Sequence, residues 1–523
     1  VSGRVPTAVP LYDNLGSLHH PITTASPKAQ QYFDQGLRLV YAFNHEEAIH
    51  SFEEATRHDP DAAMPYWGVA LALGPNINAP MDKEQERRAY DALQQALTRR
   101  EHAGPQERAY IEALATRYSP DPNAQRETLD QAYADAMREV WKRYPDDSDA
   151  GTLFAEALMD LQPWAYWTDE GQPQGRAEEI VAVLEDVLRK NPNHPGACHY
   201  YIHAVEASPK PERALPCAER LATLMPGAGH LVHMPSHIYL RLGLYEKAAE
   251  HNEHAAATDR ELLRLRRLTG IYPYGYYPHN IHFLWMALQV QGREGEAMKA
   301  AHELVTKVPP ELVEKDPAVE TFTTVPFFSL VRFGRWDEIL KEPQPHEKLR
   351  YTTGIWRFAR ATAYAATGRY GEAEAERAKM NEIRAGLPAD RVVVLNSAVK
   401  LLTIADHVLM GDLAARGGRT EDAVAHLQEA VKLEGQLRYM EPPEWPLPTR
   451  QALGAVLLAA GRAADAEDVY REDLKRNPEN GWALFGLTQS LKKQNKADEA
   501  EAVEQRFKKA WARADVTLTS SRF

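Results

Sequence analysis

Cysteine is nearly missing from this sequence: there are two in 523 residues, Cys198 and Cys217. That scarcity excludes a cysteine-rich zinc module and a disulfide scaffold, and leaves one bridge, Cys198 to Cys217, open. Positive charge is also short, with 61 Lys plus Arg against 74 Asp plus Glu and a formal net charge of −13. Such a chain has no electrostatic reason to gather on phosphate backbones, so nucleic acid is not an expected partner. No apolar run reaches the ~18 to 20 residues that a membrane-spanning helix needs; Leu453 to Ala460 is short and belongs to an amphipathic pattern. Strand signals are scarce. The stretch Arg391 to Leu395 is β-like in isolation, but it runs into a helical pattern that continues to Met410. Phosphate-binding loops, dinucleotide fingerprints, nucleophile elbows and haem-attachment motifs do not occur. An enzyme built on this chain would have to draw its chemistry from a metal.

What is present is a folded composition, 44% hydrophobic and 26% charged, which excludes disorder. By length alone the chain would make about three domains, but repeats overturn such a count. The chain begins at Val1 without Met, which reads as a mature exported product, periplasmic or extracellular, with a trimmed cytoplasmic chain as the alternative.

Repeats are visible. Leu453-Gly454, Leu457, Gly461-Arg462, Ala466, Tyr470 and Pro478 form one unit; Leu487, Leu491, Ala500 and Phe507 follow, and Ala466 to Ala500 is 34 residues. The same frame recurs at Ala423, Ala373, Ala297, Ala248, Ala214 and Ala48, with Tyr32, Gly36, Phe52, Ala55 and Pro60 completing the first unit. This resembles the tetratricopeptide repeat, in which a small alanine early in the second helix lets it pack closely on the first. The resemblance is strong at 30–68, 196–310 and 355–515. The stretch from Phe43-Asn44-His45-Glu46-Glu47-Ala48 to Gly74-Pro75-Asn76-Ile77-Asn78 is also similar to a group of bacterial tetratricopeptide proteins of unassigned function. The resemblance implies an all-α, right-handed superhelical solenoid of about ten or eleven helical pairs with insertions. It also implies that first helices line a concave groove that holds a peptide or partner protein. The expected organisation is an N-terminal extension (1–29), irregular units with insertions (30–195), central units (196–310) and C-terminal units (311–523), in one continuous solenoid.

Histidine is the anomaly. Eleven of the 20 lie between His194 and His302, where uniform scattering would put about four. The alanine frame aligns them. His199 and His203 precede Ala214 by 15 and 11 residues; His230, His233 and His237 precede Ala248 by 18, 15 and 11; His279 and His282 precede Ala297 by 18 and 15. Seven of nine equivalent slots are histidine, the exceptions being Gly196 and Met286. Steps of three and four residues place each set on one face of a first helix, turned into the groove. Neutral imidazoles at such spacing chelate transition metals, zinc or copper first, iron or nickel next. Glu206 extends the first stripe and is the expected general base; Glu156 is a less certain addition from the preceding unit. A groove lined by neutral histidines bonded to water or carboxylates is the bland alternative for any one pair.

Other features carry less. Pro235, between His233 and His237, should break or kink its helix. The loop Tyr272-Pro273-Tyr274-Gly275-Tyr276-Tyr277-Pro278 reads as an aromatic plug, with a pocket lining as the alternative. His45-Glu46-Glu47-Ala48-Ile49-His50 lacks the spacing of a zinc-protease helix. His251 and His254 should face solvent, His407 should be core, and His19-His20 should form an unstructured pair. The leading expectation is therefore a metal-binding superhelix, a metal-dependent hydrolase or oxidase if it turns over a small molecule or peptide. The alternatives are a non-catalytic scaffold for a peptide or protein, and an exported solenoid that self-assembles into a homo-oligomer.

Overall fold

The computed structural model describes residues 9–121 and 123–523, so the first eight residues of the expected extension and Pro122 lie outside it. Among the described residues the chain is all-α, a succession of tetratricopeptide-type helical hairpins with isolated bridges and no strand. It divides into two compact units, Val1–Ile238 with His254–Tyr272, and Tyr239–Glu253 with Pro273–Phe523.

The alanine frame is the packing frame. Ala48, Ala214, Ala248, Ala297, Ala373, Ala423, Ala466 and Ala500 are all buried, as close helix crossings require. Four residues past the anchor, an aromatic ring wedges between two glycines that lie 32 apart in the chain. Phe52 fills the space beside Gly36 and Gly68, and Tyr470 that beside Gly454 and Gly486; a Cβ on any of the four glycines would come within 2.5 Å of the ring. Five residues before the anchor the backbone turns left-handed, at Gly243, Gly292, Gly368, Gly418 and Gly461. There the first helix ends in a Schellman-type closure, such as Arg293 N–H to Leu288 O at 3.1 Å. Two hairpins break the glycine rule, with Phe43 at φ 53° and Asn495 at φ 58°.

Two sequence expectations change. The segment ahead of the first helix (Pro27–Tyr41) is tied down: Tyr12 N–H donates to Gln35 at 2.8 Å, and Arg38 Nε donates to the Leu18 carbonyl at 2.7 Å. The stretch 391–397 stays outside the helix, which starts at Ala398 behind an Ser397 cap. Its amides at Val394 and Leu395 are held by the Glu444 carboxylate, about fifty residues away in sequence, which satisfies them without helix or sheet.

Candidate metal centre

The first unit brings five of the seven expected histidines together with Glu206. His199 and His203 lie on the helix Pro195–Val205, and Glu206 caps its C-terminus. His230 and His233 lie on Gly229–His233, while His237 follows on Pro235–Arg241; the break falls at Met234, where Pro235 has no N–H to continue the ladder. All five imidazoles and the carboxylate are buried.

Oxygen partners fix the orientation of three of these rings. His199 Nδ1 lies 2.7 Å from the Tyr41 carbonyl oxygen, which only accepts, so the ring proton sits there and Nε2 keeps its lone pair. The Glu206 carboxylate serves two rings at once, with His203 Nδ1 3.2 Å from one oxygen and His237 Nδ1 2.5 Å from the other. Both rings therefore turn Nε2 away from the carboxylate, and His203 Nε2 is buried with no hydrogen-bond partner. The rings meet in hydrogen-bonded pairs, His199 Nε2 to His230 Nε2 at 3.1 Å and His233 Nε2 to His237 Nε2 at 3.1 Å. Two nitrogens bound to one tetrahedral ion at ~2.05 Å would stand about 3.3 Å apart. Donor atoms of His199, His203 and His230 all lie within 4.8 Å of one another, as do those of His203, Glu206 and His237.

Electrostatics favour neutral rings at His199 and His203. Burial pushes His199 well below its ordinary pKa, with the His203 charge adding to it. Burial lowers His203 too, outweighing Glu206. Burial alone would raise the Glu206 carboxyl, but His237 and His203 overcome it and hold it down to about 2. An ionised carboxylate between two Nδ1–H groups is the arrangement that orients metal-binding imidazoles. Glu206, expected as a general base, lies between His203 and His237, one oxygen toward each.

Two aromatic residues close over these rings, and sequence reasoning missed both. The Phe43 ring lies 4.5 Å from His199 and 5.5 Å from His230, centroid to centroid, and Trp164 stands edge-on to His203 at 5.1 Å. Both residues are left-handed, Phe43 at φ 53° and Trp164 at φ 62°. A bulky residue is rarely held there, and such strain gathers at functional sites. A detectable signal existed for Phe43: it stands where the repeat elsewhere prefers glycine.

Behind the centre lies a second buried network. Asp149 accepts from His20 Nδ1 at 2.7 Å through one oxygen, and from Tyr41 OH at 2.6 Å and His194 Nε2 at 3.0 Å through the other. His194 Nδ1 accepts from the Ala197 amide, so His194 is a helix cap. Burial lowers the His20 pKa, but Asp149 outweighs it and lifts the group to about 9. His20, Asp147 and Asp149 also bring donor atoms within 4.8 Å. Their oxygens are already occupied, those of Asp147 by Gln106, Tyr110 and two amides, so the cluster is a hydrogen-bond hub. The pair His19-His20 is thus ordered, with His19 bound to Asp34 at 2.7 Å. Gly196, the missing slot of the first stripe, has Tyr41 on it: a Cβ there would come 2.4 Å from the ring.

His279 and His282 belong to the second unit; His279 meets Phe283 edge-on at 4.8 Å, and buried His282 stacks on Trp285 at 5.5 Å. Glu156 lies on the helix Ser148–Asp160, where Asp160 binds Arg117 at 2.7 Å; Glu156 is pushed well up by burial and by Asp160. His407 is half-buried and faces His426, Nδ1 to Nδ1 at 3.4 Å, so it is not a core residue. Of the tyrosine loop, Tyr272, Tyr276 and Tyr277 are buried and Tyr274 is exposed; Tyr272 OH donates to Asp259 at 2.7 Å.

No family model matches the chain, and no curated protein matches it. Solved structures similar to it include the human IFIT1 dimer with m7Gppp-AAAA, 14% identical over 94% of this chain and 91% of that one, with a TM-score of 0.33. Yeast Tom70 is 12% identical over 92% and 90%, with a TM-score of 0.30. At this level of likeness no residue or ligand is carried across.

Proposed function

We propose that the first unit holds a transition-metal centre, with Nε2 of His199, His203 and His230 as its ligands. The His233–His237 pair would serve as a second, adjoining half-site. The observation that carries this reading is the use of Nδ1: in His199, His203 and His237 it is spent on a carbonyl or carboxylate oxygen. Three rings are thereby set in the tautomer that offers Nε2 outward. A merely polar groove has no need to fix tautomers in concert. Donors that are all imidazole suit zinc or copper, with iron or nickel next. Three protein ligands leave a position for water or a substrate oxygen, the requirement for hydrolysis or for dioxygen chemistry.

Elemental analysis of protein purified without chelator, followed by titration of the stripped protein, tests the reading. One or two ions per chain are expected, with the affinity of the first falling at least tenfold in His203→Ala and in His230→Ala. Stoichiometry and affinity unchanged in both variants would overturn it.

A further inference from the structure

Four arginines are buried among the described residues, and three of them are paired. Arg117 has Asp130 and Asp160, Arg266 has Glu47, and Arg293 has Glu246 and Glu296. The fourth is Arg332, at the end of the helix Glu320–Arg332 in the second unit. It is 6% exposed, and no acid among the described residues comes within ion-pair reach of it. Its guanidinium stands over the face of the Trp482 ring at 3.8 Å; Nη2 donates to Gln451 Oε1 at 2.7 Å, and Nε is buried with no partner. Burial pushes its pKa down from 12.5 to about 9, so the group keeps its charge at neutral pH. Compensation is indirect: Gln451 Nε2 donates to Asp473 at 2.9 Å, and the other oxygen of Asp473 is taken by Asn477 at 3.0 Å. A neutral amide thus separates the cation from that carboxylate. Arg332 also forms part of the wall of a cavity of about 60 Å³, with Val331, Trp336, Phe358, Leu409 and Ala452. The other charged residues on that wall are Arg522 and Asp412, and the Asp412 carboxylate is already shared by Arg522 at 2.8 Å and Arg416 at 2.9 Å.

A charge is costly to bury unless it is paired, and methionine would pack on Trp482 without that cost. The remaining N–H groups of Arg332 call for an acceptor that the chain does not supply. We infer that this cavity binds a small monocarboxylate, with its anionic group on the free edge of Arg332 and its short apolar body against Phe358 and Leu409. A guanidinium whose face is covered by a ring still presents N–H groups in its own plane, the geometry that carboxylate oxygens match. One cation in excess on the wall suits a monoanion and not a phosphate dianion. A cavity of this size holds roughly four to six heavy atoms, the size of acetate, propionate or butyrate. The inference concerns the second unit alone and stands apart from the metal reading.

Calorimetric titration of acetate, propionate and butyrate into the full chain at pH 7, in a buffer free of carboxylates, tests this. At least one of the three is expected to bind at one site per chain with a Kd of about 1 mM or tighter, and its amide at least tenfold more weakly. Arg332→Met should remove the binding. Ala452→Leu, which keeps the arginine and fills the cavity, should weaken it at least tenfold with helical content retained. In thermal unfolding the acid should raise the Tm of the unaltered chain and of His199→Ala alike, and leave that of Arg332→Met where it was. Failure of all three acids to bind, equal binding of acid and amide, or binding unchanged in both Arg332→Met and Ala452→Leu overturns the inference. So does chloride binding as tightly as the acids, since the site would then read charge alone.

Discussion

The main-chain oxygen of Tyr41 accepts from Nδ1 of His199, which lies 158 residues further along the chain. The same tyrosine sends its hydroxyl the other way, to Asp149. One residue therefore joins the histidine cluster to the hub behind it, with a different group for each. Tyr41→Phe keeps the carbonyl and loses only the hydroxyl, so metal affinity should stay within about threefold. Glu206→Gln should instead cost ten- to a hundredfold, because an amide can accept one Nδ1–H and must present its own N–H to the other. Competition titration with a chromophoric chelator separates the two; equal losses would put the orienting role of Glu206 in doubt.

Phe43 gives a prediction of unusual sign. Alanine at position 43 loses the buried ring and keeps the left-handed strain, whereas glycine loses the ring and sheds the strain. Phe43→Gly should therefore be more stable than Phe43→Ala by about 1 kcal/mol, the reverse of the ordering inside a helix. Urea unfolding of the two variants decides it, and an alanine variant at least as stable would contradict the strain.

Two glycines should fail for different reasons. Gly36→Ala drives a Cβ to 2.5 Å from the Phe52 ring, which should destabilise by about 1–3 kcal/mol through overpacking. Gly368→Ala meets nothing within 4 Å, and only its φ of 77° resists, for about 1 kcal/mol. A second substitution, Phe52→Leu, should recover part of the first loss; recovery absent there would rule out the ring as the cause.

His282 predicts a pH dependence. Burial in its aromatic setting lowers its pKa to about 3, against an ordinary value of 6.5. Between those values the unfolded chain binds a proton that the folded chain refuses, so stability falls as pH falls. The native chain should lose up to about 1.4 kcal/mol per pH unit below 6.5 relative to His282→Leu, with the difference vanishing above pH 7.5. Parallel curves from denaturation at pH 7.5, 5.5 and 4.5 would show that His282 titrates normally.

The hairpin frame was legible because its determinants are local. Alanines that recur in one frame, 34 residues apart at Ala214–Ala248 and Ala466–Ala500, and histidines at steps of three and four before them, need no knowledge of distant chain. What stayed hidden is long-range or belongs to the backbone. Asp149 meets His20 across 129 residues, and no periodicity links them. The acceptor for His199 is a carbonyl, which every residue carries and no sequence distinguishes. Trp164 sits in an insertion outside the repeat, so no slot predicted its direction. Phe43 was the exception, since it departs from a rule that five other hairpins keep with glycine.

Glu206 also fixes a sum of charges. With neutral imidazoles the enclosed pocket carries one negative charge; a monovalent ion would bring it to zero, and a divalent ion to one positive charge. Phe43 and Trp164 keep water from spreading that charge, so the divalent form would draw in an anion or strip a proton from bound water, and the monovalent form would not. A one-electron change at such an ion would then be coupled to the arrival or departure of a counter-charge. The potential of the centre would shift with the anions supplied to it.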